Sequence, residues 1–287
     1  MTGSPGSTAL DEHHPAVALA PTPPATGPSD ALELYADALE GDGTLVARDV
    51  RGRAQRLPVE RWLAPASEAD ERLLDRTEGP VLDVGCGPGR HAHELARRGI
   101  VVHGIDIAAR FVELASEEAP PGATFQRLDA RELHFDGEFD AAISLCQGAF
   151  GLLGGPSDAA GTGASDPDAD GAVLAGMARA LRPGGRLAVS AFSAYFQVRF
   201  LEDFDTFDAD AGVNHERTAL RDEEGREVPF DLWTSCFTPR ELRLLARTAG
   251  LRARHVWSVT PGAYRADPPT TGSPELLLVA ERPVAPG

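Results

Sequence analysis

Lysine is absent from this chain. All 27 of its non-histidine basic residues are arginine, set against 44 aspartates and glutamates, for a formal net charge of −17 over 287 residues. So acidic a surface repels phosphate backbones and keeps a protein in solution, so nucleic acid is not expected as a partner, although a local basic patch is still allowed. Cysteine is scarce as well. Cys86, Cys146 and Cys236 cannot all pair and lie far apart in the sequence, which points to reduced thiols in a cytoplasmic protein. No apolar run approaches the ~20 residues of a membrane span. The first thirty residues lack a basic start followed by an apolar block, so no secretory signal is expected.

What the chain does have is hydrophobic residues at 42%, enough for a real core, together with abundant alanine, glycine and proline. Residues 1–30 are rich in Pro, Ala, Ser, Thr and Gly without hydrophobic period and read as a disordered tail. Residues 31–77 read as an N-terminal cap: a short helix over Ala31–Glu40, a possible hairpin within Thr44–Val59, and a helix start at Ser67–Asp70. From Pro80 onward strand and helix alternate. Strands are expected at Val81–Val84, Val101–Ile105, Thr124–Leu128, Phe139–Leu145 and Arg186–Ala191. Helices are expected at Arg90–Arg98, Ala108–Glu118 and about Ala172–Leu181, with a mobile loop over Gly154–Asp170. This alternation means a mostly parallel sheet with helices on both faces. Thr238-Pro239 starts a further helix, threonine as N-cap and proline at the first helical position. Leu251–Val259 and Glu275–Glu281 then close the sheet as an antiparallel hairpin. The expected fold is α/β and Rossmann-like, with seven strands over residues 78–287 and an insertion at about 192–237.

Gly85-x-Gly87-x-Gly89 follows the first of these strands directly and opens a helix. Glycine there lets the backbone turn sharply and approach a ligand, whose polar groups then meet free N–H groups at the helix start. Such a loop alone serves several nucleotide-like cofactors. The spacing of its last glycine departs from the dinucleotide fingerprint, and Asp83 stands two residues before Gly85. A carboxylate is unfavourable beside a pyrophosphate but favourable beside the ammonium and sulfonium of S-adenosylmethionine (SAM). Asp106 ends the second strand, where a carboxylate can accept from two ribose hydroxyls. Asp129-Ala130 ends the third, where a side chain and a backbone N–H could read adenine. Taken singly, Asp106 and Asp129 read equally well as turn or N-cap residues. In register they fit a ligand with amine, ribose and adenine.

The stretches Val81–His91, Gly104–Ile107, Leu128–Ala130, Phe139-Asp140 and Leu181–Gly185 together resemble the successive motifs of class I SAM-dependent methyltransferases. The resemblance covers about Gly79 to Ala191 and resumes over Phe237–Leu242 to Ala280–Pro283. It implies a SAM cofactor held by Asp83, Gly85, Cys86, Gly87 and Gly89 around its methionine part, Asp106 and Ile107 at its ribose, and Asp129 and Ala130 at its adenine. Cys146 and Gln147, just after the fourth strand, fall near the sulfonium. That segment lacks the Asn/Asp-Pro-Pro-aromatic tetrapeptide of some amino-group methylases and the Mg²⁺-binding aspartate of catechol-type enzymes. The implied reaction is methyl transfer to a small molecule, by in-line alignment with limited base help.

Acceptor recognition falls to the insertion, read as a lid with Tyr195 and Trp233 as walls and His215 as candidate base. His215-Glu216-Arg217 reads equally as a solvated cluster, and Trp233 as a core residue. Cys146 has no positive neighbour in sequence to activate it, and Cys86 reads as a packing residue. His91 and His93, two apart on one helix, read as solvent-facing or near the cofactor. No metal site is expected. Another group transferase using a SAM relative, or a SAM-binding protein without turnover, are the alternatives.

Overall fold

The computed structural model describes residues 38, 45–49, 54–57, 77, 79–146, 148–152, 168–202, 205–222, 225–260 and 263–284. The expected tail, most of the cap, residues 154–167 of the expected loop and Gln147 lie outside these residues.

Burial on both faces makes β3 (Val81–Val84) the centre of the sheet. β4 (Val102–Asp106) and β5 (Ala123–Arg127) follow on one side, β6 (Phe139–Ser144) and β7 (Leu181–Ser193) on the other, all parallel. β13 (Glu275–Glu281) pairs antiparallel with β7, and β11 (Arg252–Thr260) with β13. The order β5-β4-β3-β6-β7-β13-β11 is the expected seven-stranded sheet with one reversed strand near its edge. Chain direction along the sheet reverses between β3 and β6, so a crevice opens at the carboxyl ends there, where open α/β sheets bind ligands.

Alternate residues of these buried strands face opposite layers. Leu82, Val84, Ile105, Ala142, Leu187 and Val189 pack with residues of α3 (Ala169–Ala180) and α5 (Pro239–Thr248). Val81, Val102, Ala141, Ile143 and Leu277 pack with Ala92 and Leu95 of α1 (Arg90–Arg97). On the same side, α2 (Ala109–Glu117) packs against β4 and β5. At α5 the expected start is complete: the Thr238 hydroxyl accepts from the Glu241 N–H, and the Glu241 carboxylate accepts from the Thr238 N–H at 2.6 Å. Among the described residues no helix is long and apolar enough to cross a membrane.

The insertion forms a second sheet. After α4 (Ala194–Arg199) come β8 (Asp205–Asp208), β9 (Val213–Arg221) and β10 (Glu227–Phe237). β9 and β10 make an antiparallel hairpin. Cys236 and Phe237 of β10 then run parallel to Phe192 and Ser193, so the second sheet continues from the carboxyl end of β7. The hairpin expected near the N-terminus is present as β1 (Leu45–Asp49) and β2 (Ala54–Leu57), and β1 pairs with the far half of β9.

Three features differ from expectation. β7 begins at Leu181 because the Pro-Gly-Gly turn is absorbed into the strand, with Gly184 at φ 87° and a register shift against β6. α3 begins three residues earlier than expected, at Ala169. A short strand, β12 (Ala263–Asp267), pairs with β11.

Candidate active site

The glycine loop is tied to the next strand, with the N–H groups of Gly85 and Cys86 both donating to the Ile105 carbonyl at 2.8 and 2.9 Å. Gly85, Gly87 and Gly89 take φ values of 72°, 52° and 89°, where side chains are rarely tolerated. At Gly85 a Cβ would stand 2.2 Å from the Gly148 carbonyl carbon, so the segment after β6 lies directly on the loop. At Gly87, by contrast, no heavy atom of the described residues comes within 4 Å of a Cβ position. Among the described residues, that side of the loop is open. Cys86 turns its side chain inward toward Gly104. Burial, with the charges of Asp83 and Asp106, pushes its thiol well above the usual range, so it is a neutral packing group.

Because β3, β4 and β5 are neighbours, Asp83, Asp106 and Asp129 step across three adjacent strand ends. Asp83 is 1% exposed. It accepts from the Ala92 N–H at the start of α1, while its Oδ2 has no hydrogen-bond partner among the described residues. Burial pushes its carboxyl up to about 6, offset in part by His91, with the Asp106 charge adding to the rise. Asp106 accepts from Gly87 N–H through Oδ2 and from Ala108 N–H through Oδ1, both at 2.9 Å. It thereby holds the loop's middle glycine as well as its own turn, where the Ile107 N–H adds a further backbone bond. Burial raises its carboxyl too, against these backbone bonds.

Asp129 is the N-cap of the short 3₁₀ turn Ala130–Glu132, accepting from Arg131 N–H. The Arg131 guanidinium grips the same carboxylate and holds it below the usual range. Ala130 packs half-buried on the core, and Ile107 is exposed, its carbonyl accepting from Arg127. His91 and His93 are both buried. His91 sits at the first turn of α1 close enough to act on Asp83, and His93 Nε2 is 2.8 Å from the Ala115 carbonyl. Neither is solvent-facing, because α1 packs its first turn against β3 and α2.

On the acceptor side, Cys146 is exposed at the end of β6 with φ 53°, a left-handed conformation uncommon for cysteine. Tyr195 is exposed on α4, which packs against β10. His215 and Trp233 face each other across β9 and β10 and stack at 4.3 Å with 6° between ring planes. His215 Nε2 lies 2.7 Å from Asp231 Oδ1. Sequence reading singled out neither Asp231 nor the buried Asp170 of α3; both meet their partners through long-range pairing, which no local spacing encodes.

A parallel sheet with one reversed strand near its edge, a glycine loop after its central strand, and acidic groups at three neighbouring strand ends define an α/β protein built to hold a nucleoside-bearing cofactor. The family model for a methyltransferase domain matches residues 81–185. The chain is similar to the cypemycin N-terminal methyltransferase of Streptomyces sp., 27% identical over 231 residues, covering 70% of this chain and 82% of that one. It is 32% identical over 114 residues to the N-demethylindolmycin N-methyltransferase of Streptomyces griseus, covering 38% of this chain and 43% of that relative. Among solved structures, the SAM-bound amino pentose methyltransferase CalS10 from Micromonospora echinaspora, involved in calicheamicin biosynthesis, superposes with TM-score 0.56 at 24% identity. The match covers 78% of this chain and 94% of that one. Residues 81–185 carry a methyltransferase domain, and the enzyme is SAM-dependent.

Proposed function

We propose that this enzyme methylates a small molecule held between the carboxyl ends of the core sheet and the inserted sheet. One observation carries the cofactor half: the buried Asp83 Oδ2, without a partner among the described residues, on the strand that leads into the glycine loop. A buried carboxylate with one oxygen unpartnered is costly until a cation meets it, and the SAM ammonium supplies one. Asp106 then takes the ribose, and Asp129 with Ala130 the adenine. Gly85, Cys86 and Gly89 shape the loop around the methionine part, Ile107 flanks the ribose turn, and Cys146 and Gln147 border the reacting end. SAM supplies an activated methyl group on a sulfonium.

The acceptor half is supported by the path of β10, which leaves the carboxyl end of β7 beside the cofactor crevice. Residues 31–77 act as a cap and 192–237 as a lid, the two joined through β1 and β9. Trp233 and Tyr195 wall the acceptor. The bond to Asp231 favours the His215 tautomer protonated at Nε2, leaving the Nδ1 lone pair to take the acceptor's proton. Alignment and exclusion of water do the rest. The names of the relatives, an N-demethylindolmycin N-methyltransferase and an amino pentose methyltransferase among them, support a small acceptor over nucleic acid. Cys86, Cys146 and Cys236 stand outside any disulfide, which supports a cytoplasmic location.

The test is to incubate the purified enzyme with methyl-labelled SAM and cell extract, then separate products by mass. Label in the low-mass fraction is expected. Label in protein or nucleic acid, or none, overturns this reading.

A further inference from the structure

Residues 145, 146 and 148–152, which follow β6, are seated at three points. The Gly148 backbone lies on Gly85 of the cofactor loop, and a Cβ on Gly148 would stand 2.2 Å from the Gly85 carbonyl oxygen. Phe150 is fully buried and stacks on Phe237, the last residue of β10, at 4.9 Å. Gly151 is held from both sides: its carbonyl accepts from Ser235 N–H of β10 at 2.8 Å, and its N–H donates to Asp170 Oδ1 at 2.7 Å.

Asp170 is 7% exposed, in the first turn of α3, and also accepts from the Ser235 side chain. No ion pair to it is seen among the described residues. A buried carboxylate without a cation is expensive to keep, and this one spends its bonds on two residues that belong to different parts of the site. Gly151 belongs to the segment lying on the cofactor loop, and Ser235 to the strand bearing Trp233 and Asp231.

We propose that Asp170 is a positioning residue of the methyl-transfer site, locking segment 145–152 to β10 so that cofactor occupancy at the glycine loop sets the placement of the inserted sheet. The inference rests on the reading that this sheet covers the acceptor. Asp170 touches neither reactant; it acts through Gly151 and Ser235.

Hydrogen exchange tests it on the full chain, with S-adenosylhomocysteine as ligand and calorimetry to measure its affinity. In the wild type, ligand slows exchange in peptides covering 145–152 and 230–236 together. In Asp170→Ala, affinity stays within about tenfold, yet the slowing at 230–236 disappears and both peptides exchange at least about tenfold faster without ligand. Asp170→Asn keeps an acceptor oxygen for Gly151 N–H and restores the coupling. Ser235→Ala, which leaves α3 untouched, loosens 230–236 alone and serves if Asp170→Ala fails to fold. Retention of ligand-dependent slowing at 230–236 in a folded Asp170→Ala, or in its place a Ser235→Ala that leaves 230–236 unchanged, overturns the proposal. So does Asp170→Asn behaving as the alanine variant. If the wild type binds no ligand, the cofactor reading fails instead, and the ligand-free rates still judge Asp170.

Discussion

Lowering the pH should weaken SAM binding through one carboxylate. Asp83 is buried with its carboxyl pushed up to about 6, so in the free enzyme it is roughly 90% ionised at pH 7 and roughly 10% at pH 5. If the cofactor's ammonium requires the ionised form, apparent affinity falls about tenfold over that interval, or about 1.4 kcal/mol. Asp83→Asn removes the titrating group: binding should be weaker at pH 7 and nearly flat from pH 5 to 7. Stability moves the other way. The folded pKa lies above the unfolded value of 3.8, so this group's contribution to stability is fully present below pH ~4 and is lost as pH rises through about 6. The loss amounts to about 3 kcal/mol at most, and Asp83→Asn should therefore stabilise the free enzyme at pH 7 while impairing binding. Titration calorimetry at three pH values, with urea melts of both proteins, reads both effects. A wild-type affinity that is flat from pH 5 to 7, or an asparagine variant as pH-sensitive as the wild type, refutes the reasoning.

Gly85→Ala places a methyl group against the Gly148 backbone at a positive φ, so SAM binding should fall by tenfold or more in calorimetry, with a lowered melting temperature. Asp231→Asn leaves His215 without its charged partner; turnover should drop about 10²-fold or more with an identified acceptor, while SAM affinity is unchanged. Thr238→Ala dismantles the capping box of α5 and should cost about 1 kcal/mol in urea melts without altering SAM affinity.

Much of the core sheet was legible because its strands are short apolar runs bounded by glycine and proline, and burial on both faces leaves such runs few alternatives. The final reversed strand was legible for the same reason. Limits of elements were less so: Pro183-Gly184-Gly185 carries strong turn signals, yet backbone bonds of Gly184 and Gly185 with Arg282, just past β13, carry it into β7. His91 and His93 read as solvent-facing or near the cofactor, and the packing of α1 buries both. At the site, local spacing marks the glycine loop and its three carboxylates. It does not reveal that Asp106 also holds Gly87, or that Arg131 grips Asp129. Asp231, Asp170 and the joining of β1 to β9 depend on residues far apart in sequence, and no periodicity reports them.

The most direct test of the cofactor site is a crystal structure of the enzyme with SAM bound. The account predicts the cofactor's ammonium within hydrogen-bond reach of Asp83 Oδ2, directly or through one water, with its ribose at Asp106. An ammonium placed elsewhere, with Asp83 Oδ2 still unpartnered, would contradict it.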